Sequence, residues 1–333
     1  MAEFIRDAWY LAAWSDEVPR EGWLARRLLD RPWLLLRDSE GVAAMVEDRC
    51  PHRFVPLSRG QREGDTIICG YHGLGFDFSG ACVRNAFGSP PPGAQIAAPP
   101  VIERHGGLWF WPGVRDKADP ALIPDFDFID RAGPVGRSVY VMSVNYELIA
   151  DNLLDLSHAE FLHTQSFGTN GSLFSHGMQT VETAEDGAVW NKWDIRDAVP
   201  PGWAVPMLPE GGRIDQYLHI RWHAPSALAL FIGISRAGTE GHEMVIPPMA
   251  NPHILTPETE TSTHYFFTHG PTAEDEAMAR RVFLEEDEPM IAAQAAAMRG
   301  TDFWEERPLI LPSDRAAILA RRRLMQLRKA EAG

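Results

Sequence analysis

Hydrophobic positions in the first third of the chain come in runs of four or five, separated by polar turns. Trp33–Arg37 (WLLLR), Ala43–Glu47 (AAMVE), Thr66–Cys69 (TIIC) and Leu108–Trp111 (LWFW) have strand length and are rich in aliphatic and aromatic residues. Gly22, Gly41, Gly60, Gly64 and Gly80 punctuate them, and a proline- and alanine-rich stretch covers Ser89 to Pro100. This spacing predicts a small antiparallel β domain over residues 1–115. Residues 116–130 carry charge and proline without periodicity and predict a linker. Beyond it, residues 131–333 open with strand-like Ser138–Val144 and the helix-compatible segment Tyr146–His163. Strands are then expected at Ala188–Ile195, Ile214–Trp222, Ala227–Ile234 and Thr261–Thr268. Helices are expected from about Thr272 to Met298 and from Ser313 to Ala330. Strands followed by terminal helices predict an α+β domain, with helices laid on a sheet.

Composition adds constraints. A chain of 333 residues with 45% hydrophobic and 23% charged residues suits two globular domains. No apolar run reaches the roughly 20 residues that a membrane span needs. The opening MAEFIRDAWY contains no apolar signal core, so the expected location is the cytoplasm. A formal charge of −15 opposes binding to nucleic acid or to an anionic membrane, both of which call for positive surface. Three cysteines, Cys50, Cys69 and Cys82, are too few for a disulfide framework and point to metal chemistry or isolated thiols.

Two of these cysteines belong to a pattern. Cys50-Pro51-His52 is followed, after sixteen intervening residues, by Cys69-Gly70-Tyr71-His72. Two thiolates can hold one iron and two imidazoles another, with bridging sulfides completing both tetrahedra. Two Cys and two His divided this way define the Rieske [2Fe–2S] centre, so the assignment rests on matching a known ligand pattern. Zinc also accepts Cys₂His₂, but zinc knuckles usually segregate cysteines from histidines, whereas each knuckle here holds one of each. Cys82 lies outside the pattern and is expected to be a small buried hydrophobe.

A second constellation follows in DNLLDLSH, Asp151 to His158, with His163 five residues on. Asp155 and His158 share a helix face. His158 and His163 are about 140° apart on an ideal helix, so both can face one metal only if the helix bends or ends between them. Two histidines and a carboxylate on one face of non-haem iron(II) leave positions open for dioxygen. The run FLEEDEP, Phe283 to Pro289, offers four acids, and Pro289 should distort the turn before it; spacing alone does not choose among them.

Taken together these motifs resemble the Rieske non-haem iron oxygenases, and within them the aromatic O-demethylase group. The likeness runs through Asp7-Ala8-Trp9-Tyr10, the CPHR and GYHG knuckles, DNLLDLSHAEFLH and His253-Ile254-Leu255-Thr256-Pro257-Glu258-Thr259-Glu260. The resemblance implies that Cys50, His52, Cys69 and His72 hold the cluster, and that His158, His163 and Asp287 hold a mononuclear Fe(II). It makes Asp155 a bridging carboxylate between a neighbouring subunit's cluster histidine and His158, with Asn152 supporting the iron site. His253 is the implied substrate contact, with Phe231 and Met278 at two further pocket positions. The implied fold is a Rieske β-sandwich followed by a helix-grip domain, and the implied assembly a head-to-tail homotrimer. The implied reaction is O-demethylation of a methoxylated aromatic acid with O2, electrons arriving from NAD(P)H through a separate reductase or ferredoxin. No dinucleotide fingerprint occurs in the chain. Ring or side-chain hydroxylation of an aromatic substrate is the alternative, and a pure electron-transfer Rieske protein the non-oxygenase one.

Overall fold

Strands form where short apolar runs meet glycine and proline turns. The computed structural model describes residues 4–164, 166–208 and 211–333. It divides into two units, one of residues 4–125 with Thr256–Glu260, the other of Phe126–Leu255 with Thr261–Gly333.

In the first unit the strands are β1 (Tyr10–Trp14), β2 (Leu24–Leu28), β3 (Arg31–Arg37), β4 (Ala43–Glu47), β5 (Gln61–Glu63), β6 (Thr66–Ile68), β7 (Gly75–Asp77), β8 (Cys82–Arg84), β9 (Val101–Arg104) and β10 (Gly107–Phe110). They pair as three small sheets, β1-β10-β9, β2-β3-β4 and β5-β6-β7-β8. Four consecutive residues of β3, Trp33 to Leu36, are buried, so both faces of that strand are covered. Leu34, Leu36, Val46, Leu57, Ile67 and Phe76 form one core, and Cys50 and Cys69 are members of it. Each such side chain contributes about 1.5–3 kcal/mol on burial, so the two cysteine loops rest on rigid ground. Cys82 is half-buried, packed on the edge of this core and less enclosed than expected.

Residues 116–130 are more ordered than a linker implies. They include a 3-10 turn at Pro120–Leu122 and the start of a short helix, α1 (Asp127–Arg131), with Ile123, Phe126 and Ile129 buried. The two units divide at Asp125 within this segment.

The second unit is built on a seven-stranded sheet. Its strands are β11 (Gly136–Met142), β12 (Gly177–Thr183), β13 (Val189–Ala198), β14 (Ile214–His223), β15 (Ala227–Arg236), β16 (Met244–Thr259) and β17 (Ser262–His269), in the order β11-β17-β16-β15-β14-β13-β12. The strand β16 does not show in the hydrophobic pattern because Pro247, Pro248, Pro252 and Pro257 interrupt it. Register shifts opposite Ile232–Ser235 accommodate the first two prolines. Along β13 burial alternates strictly: Val189, Asn191, Trp193 and Ile195 are buried and their neighbours are not. The cross-strand pairs put Trp222, Leu228 and His253 on the face of Val189.

Helices cover that face. They are α2 (Tyr146–Leu154), α3 (Ala159–Leu162), α4 (Ser172–His176), α5 (Ala273–Arg280), α6 (Glu288–Ala297) and α7 (Arg315–Ala332). Asn145 caps α2 by accepting the Glu147 amide, and Asn191 Nδ2 donates to the Leu154 carbonyl at its other end, 2.7 Å away. The last helix is clamped to α2 by a buried guanidinium. Arg321 reaches Asp151 at 2.6 Å and Glu147 at 3.3 Å. Burial pushes the Asp151 carboxyl up to about 6 despite that guanidinium. Among the described residues no helix is long and apolar enough to cross a membrane.

Candidate metal centres

Two loops of matching geometry present Cys50/His52 and Cys69/His72. In each, the cysteine amide donates to a carbonyl five residues on (Val55, Leu74), and its own carbonyl accepts the amide four residues on (Phe54, Gly73). That closure demands a left-handed residue at the fourth position. Phe54 has φ +62° and Gly73 φ +71°, so the second loop uses glycine where the first strains a phenylalanine. The thiols point inward, Cys50 and Cys69 being 2% and 3% exposed, while His52 lies at the surface with its ring 4.6 Å from that of His72. Both cysteines are free thiols, and the amides of His52 and Arg53 hydrogen-bond the Cys50 sulfur. Sulfur donors inside and nitrogen donors outside fit a cluster with one buried and one surface iron. Beside the histidines lies a cavity of about 480 Å³, lined in part by Pro51, Leu74 and Phe87.

The second centre depends on where a helix stops. α2 ends at Leu154, Asp155 leaves helical geometry (φ −95°, ψ 85°), a 3-10 turn covers Leu156–His158, and α3 ends at Leu162. Five residues then suffice to bring two imidazoles together, and the Nε2 atoms of His158 and His163 lie 3.1 Å apart. Asp287 Oδ1 completes the triangle, 3.5 Å from His158 Nε2 and 3.3 Å from His163 Nε2. The three ligand atoms are close enough together to share one ion.

Asp287 is delivered by a break in another helix. Between α5 and α6, Arg281–Asp287 wind as a π-helix, and Pro289 is the second residue of α6. Pro289 supplies no N–H to the Glu285 carbonyl and crowds it, so the preceding turn widens. The distortion expected from that proline is therefore present, and it turns Asp287 to the Nε2 atoms of both histidines while Glu286 reaches only the Nδ1 edge of His163. Asn152 Nδ2 donates to Asp287 Oδ1 at 3.2 Å. Burial opposes ionisation of Asp287, but the two imidazoles beside it prevail and hold its carboxyl at about 2, so it is a carboxylate.

Electron pairs decide what the triangle can hold. His158 Nδ1 lies against the Asp155 carbonyl, and His163 Nδ1 is 2.8 Å from Glu286 Oε2. Both neighbours only accept, so both Nδ1 atoms donate, and in the neutral imidazoles both Nε2 lone pairs face inward. Two lone pairs and a carboxylate at 3.1–3.5 Å repel one another unless a cation lies between them. Donors about 2.1 Å from one metal are about 3.0–3.4 Å apart, so the triangle has the size of a coordination face.

Other expected residues are distributed differently. Asp155 Oδ1 accepts from Ser157, from the amide at 3.1 Å and the hydroxyl at 2.6 Å, so within this chain its backbone carbonyl, not its carboxylate, holds His158. His253 is buried on the helix-covered face, its Nδ1 2.5 Å from the Tyr265 hydroxyl and its Nε2 without a hydrogen-bond partner among the described residues. Phe231 is not brought to it. Phe231 pairs across the sheet with His219 and Ala250, which puts it on the opposite face from His253; there it stacks on Trp190 at 5.4 Å. Met278, on α5, is 41% exposed. The ring that meets His253 is Phe283, at 5.6 Å, which also packs on Tyr265 and Phe267. Phe283 and Glu286 lie inside the acidic FLEEDEP run, but nothing in the sequence shows that the π-turn directs both to the site.

Comparison with known proteins identifies both domains. The Rieske [2Fe–2S] domain model matches residues 8–94, and the vanillate O-demethylase oxygenase C-terminal domain model matches residues 142–330. The dicamba O-demethylase oxygenase component of Stenotrophomonas maltophilia is 34% identical, with 99% of each chain covered. The chloroacetanilide N-alkylformylase oxygenase component of Rhizorhabdus wittichii is also 34% identical, covering 98% of this chain and 97% of its own. A crystal structure of dicamba monooxygenase bound to 3,6-dichlorosalicylic acid superposes with a TM-score of 0.87 at 33% identity, covering all of both chains. The chain therefore belongs to the Rieske-type, iron-dependent oxygenase components whose C-terminal half is the vanillate O-demethylase oxygenase domain.

Proposed function

We propose that this oxygenase component O-demethylates a methoxylated aromatic acid, with His158, His163 and Asp287 as ligands of a mononuclear Fe(II). The observation that carries the reading is the inward-facing triangle of those three donors, in a chain that also holds Cys50, His52, Cys69 and His72 on a Rieske domain. The balance is ArOCH3 + O2 + 2e⁻ + 2H⁺ → ArOH + HCHO + H2O, the electrons coming from NAD(P)H through a separate reductase or ferredoxin. Bound at the triangle, iron supplies the activation of dioxygen.

The chain's own residues hold and orient. Asn152 steadies the Asp287 oxygen that faces the histidines, and the Asp155 carbonyl and Glu286 fix the two imidazoles with Nε2 inward. Burial keeps the Tyr265 hydroxyl protonated; in the tautomer whose Nδ1 accepts that O–H, Nε2–H is left as a donor for substrate. Burial also holds the His253 imidazole down at about 4, so it meets substrate neutral. A neutral donor among Phe283 and Tyr265 suits a carboxylate or carbonyl oxygen on an aromatic ring.

Asp155 holds His158 Nδ1 through its backbone carbonyl, and the carboxylate oxygen beyond its bonds to Ser157 would accept from the cluster histidine His72 of a neighbouring copy, so that the residue links the two. This calls for a head-to-tail homotrimer, each copy's cluster serving the next copy's iron. The cytoplasm, where the reductant is made, is the matching location.

Oxygen uptake with a surrogate reductase across methoxybenzoates, assayed for formaldehyde, tests the reading. Uptake that releases formaldehyde in equal amount is expected. Uptake without formaldehyde would replace demethylation by ring or side-chain hydroxylation. Asp287→Ala should abolish turnover and remove one iron per chain while the cluster's visible spectrum persists; retention of that iron would remove Asp287 as a ligand.

A further inference from the structure

We propose that Glu286 is a positioning residue for the iron site, holding the His163 imidazole so that its Nε2 lone pair is fixed on the metal position. The inference rests on the reading of His163 as a ligand and adds a carboxylate that does not itself touch the metal. Glu286 and Asp287 are consecutive, yet they address opposite edges of one imidazole. Glu286 Oε2 is 2.8 Å from Nδ1, and Asp287 Oδ1 is 3.3 Å from Nε2. The π-turn over Arg281–Asp287 is where this placement arises.

The carboxylate of Glu286 is itself held. Oε2 also accepts the Ser166 hydroxyl at 2.7 Å, and Oε1 pairs with Arg281 Nε at 3.0 Å. The ion pair with Arg281 therefore uses one oxygen and the imidazole the other, and the two do not compete. The Glu286 side chain is 13% exposed, which is not the solvated acid that an EEDE run suggests. An anionic acceptor on Nδ1 sets the tautomer, stops the ring from rotating and raises the basicity of Nε2.

The test is iron affinity rather than turnover. Holoenzyme stripped of its mononuclear iron is dialysed against buffered Fe(II), and iron per chain is counted by mass spectrometry, with the cluster spectrum and melting temperature as controls for folding. Glu286→Leu should weaken binding of the third iron about 10–100-fold and leave the two cluster irons in place. Glu286→Gln, whose amide oxygen can still accept from Nδ1, should recover most of that loss. Glu286→Asp keeps the charge but shortens the reach, and should bind iron weakly while folding normally. Wild-type affinity in folded Glu286→Leu or Glu286→Asp would overturn the proposal, as would Glu286→Gln binding no better than Glu286→Leu. Failure of the underlying reading is separable, because His163→Ala would then keep its third iron.

Discussion

At His253, burial and a hydroxyl neighbour act on one ring, and the result can be read in solution. Its folded-state value of about 4 lies below the ordinary histidine value of 6.5. Between those values the unfolded chain binds the extra proton, so this group favours folding fully above pH 6.5 and loses that contribution as pH falls toward 4. The effect is at most about 3 kcal/mol. In His253→Leu the fall in melting temperature from pH 7 to pH 4.5 should be shallower than in the wild type; parallel curves would show that His253 is not buried neutral. If His253 orients substrate through Nε2–H, as proposed, the same substitution should raise KM for aromatic acids more than it lowers kcat.

At the scale of elements, two helix interruptions do most to shape the iron site. The break at Asp155 brings His158 and His163 together, and the π-turn before Pro289 aims Asp287. Pro289→Ala returns an N–H to the Glu285 carbonyl and favours regular α-helix. Iron content should fall toward two per chain with the melting temperature held or raised; unchanged iron would show that packing of Phe283 alone maintains the π-turn. The clamp of α7 on α2 is a buried ion network. Arg321→Leu strands Asp151, while Glu147 keeps Arg328, and should destabilise the second unit by about 3–5 kcal/mol, measured by denaturant unfolding. A loss below about 1 kcal/mol would mean that the network is solvated in solution.

For the whole molecule, the two metal centres differ in donor chemistry. Two buried thiolates and bridging sulfides would hold the cluster, whereas two imidazoles and one carboxylate would hold the single Fe(II). A chelator should therefore remove the mononuclear iron first, abolishing turnover with the visible spectrum intact, and added Fe(II) should restore activity. Simultaneous loss of colour and activity would contradict that order. The proposed assembly predicts a particle of three chains by light scattering, and mixing Asp287→Ala with Cys69→Ser chains should recover part of the lost activity if electrons cross between copies.

The cluster was legible from spacing alone, because a Rieske centre takes its four donors from two short loops and local sequence carries the whole pattern. The strands of the first unit and the terminal helices were legible for the same reason: period and turn residues act locally. The iron site was only half legible. His158 and His163 lie in one motif, but whether they converge depends on a helix ending between them, and their carboxylate comes from more than a hundred residues away. Four prolines concealed β16, since a proline-rich strand survives only where register shifts and neighbouring strands hold it. Sheet parity, which a one-residue difference inverts, separated Phe231 from His253, and the π-turn gave Phe283 the place beside it. Sequence by itself determined which metals the chain can bind and with which residue types, because donor chemistry belongs to side chains. Tertiary structure alone decided which acid faces both Nε2 atoms and which face of the sheet carries His253, because these depend on the winding of a π-turn and on strand register.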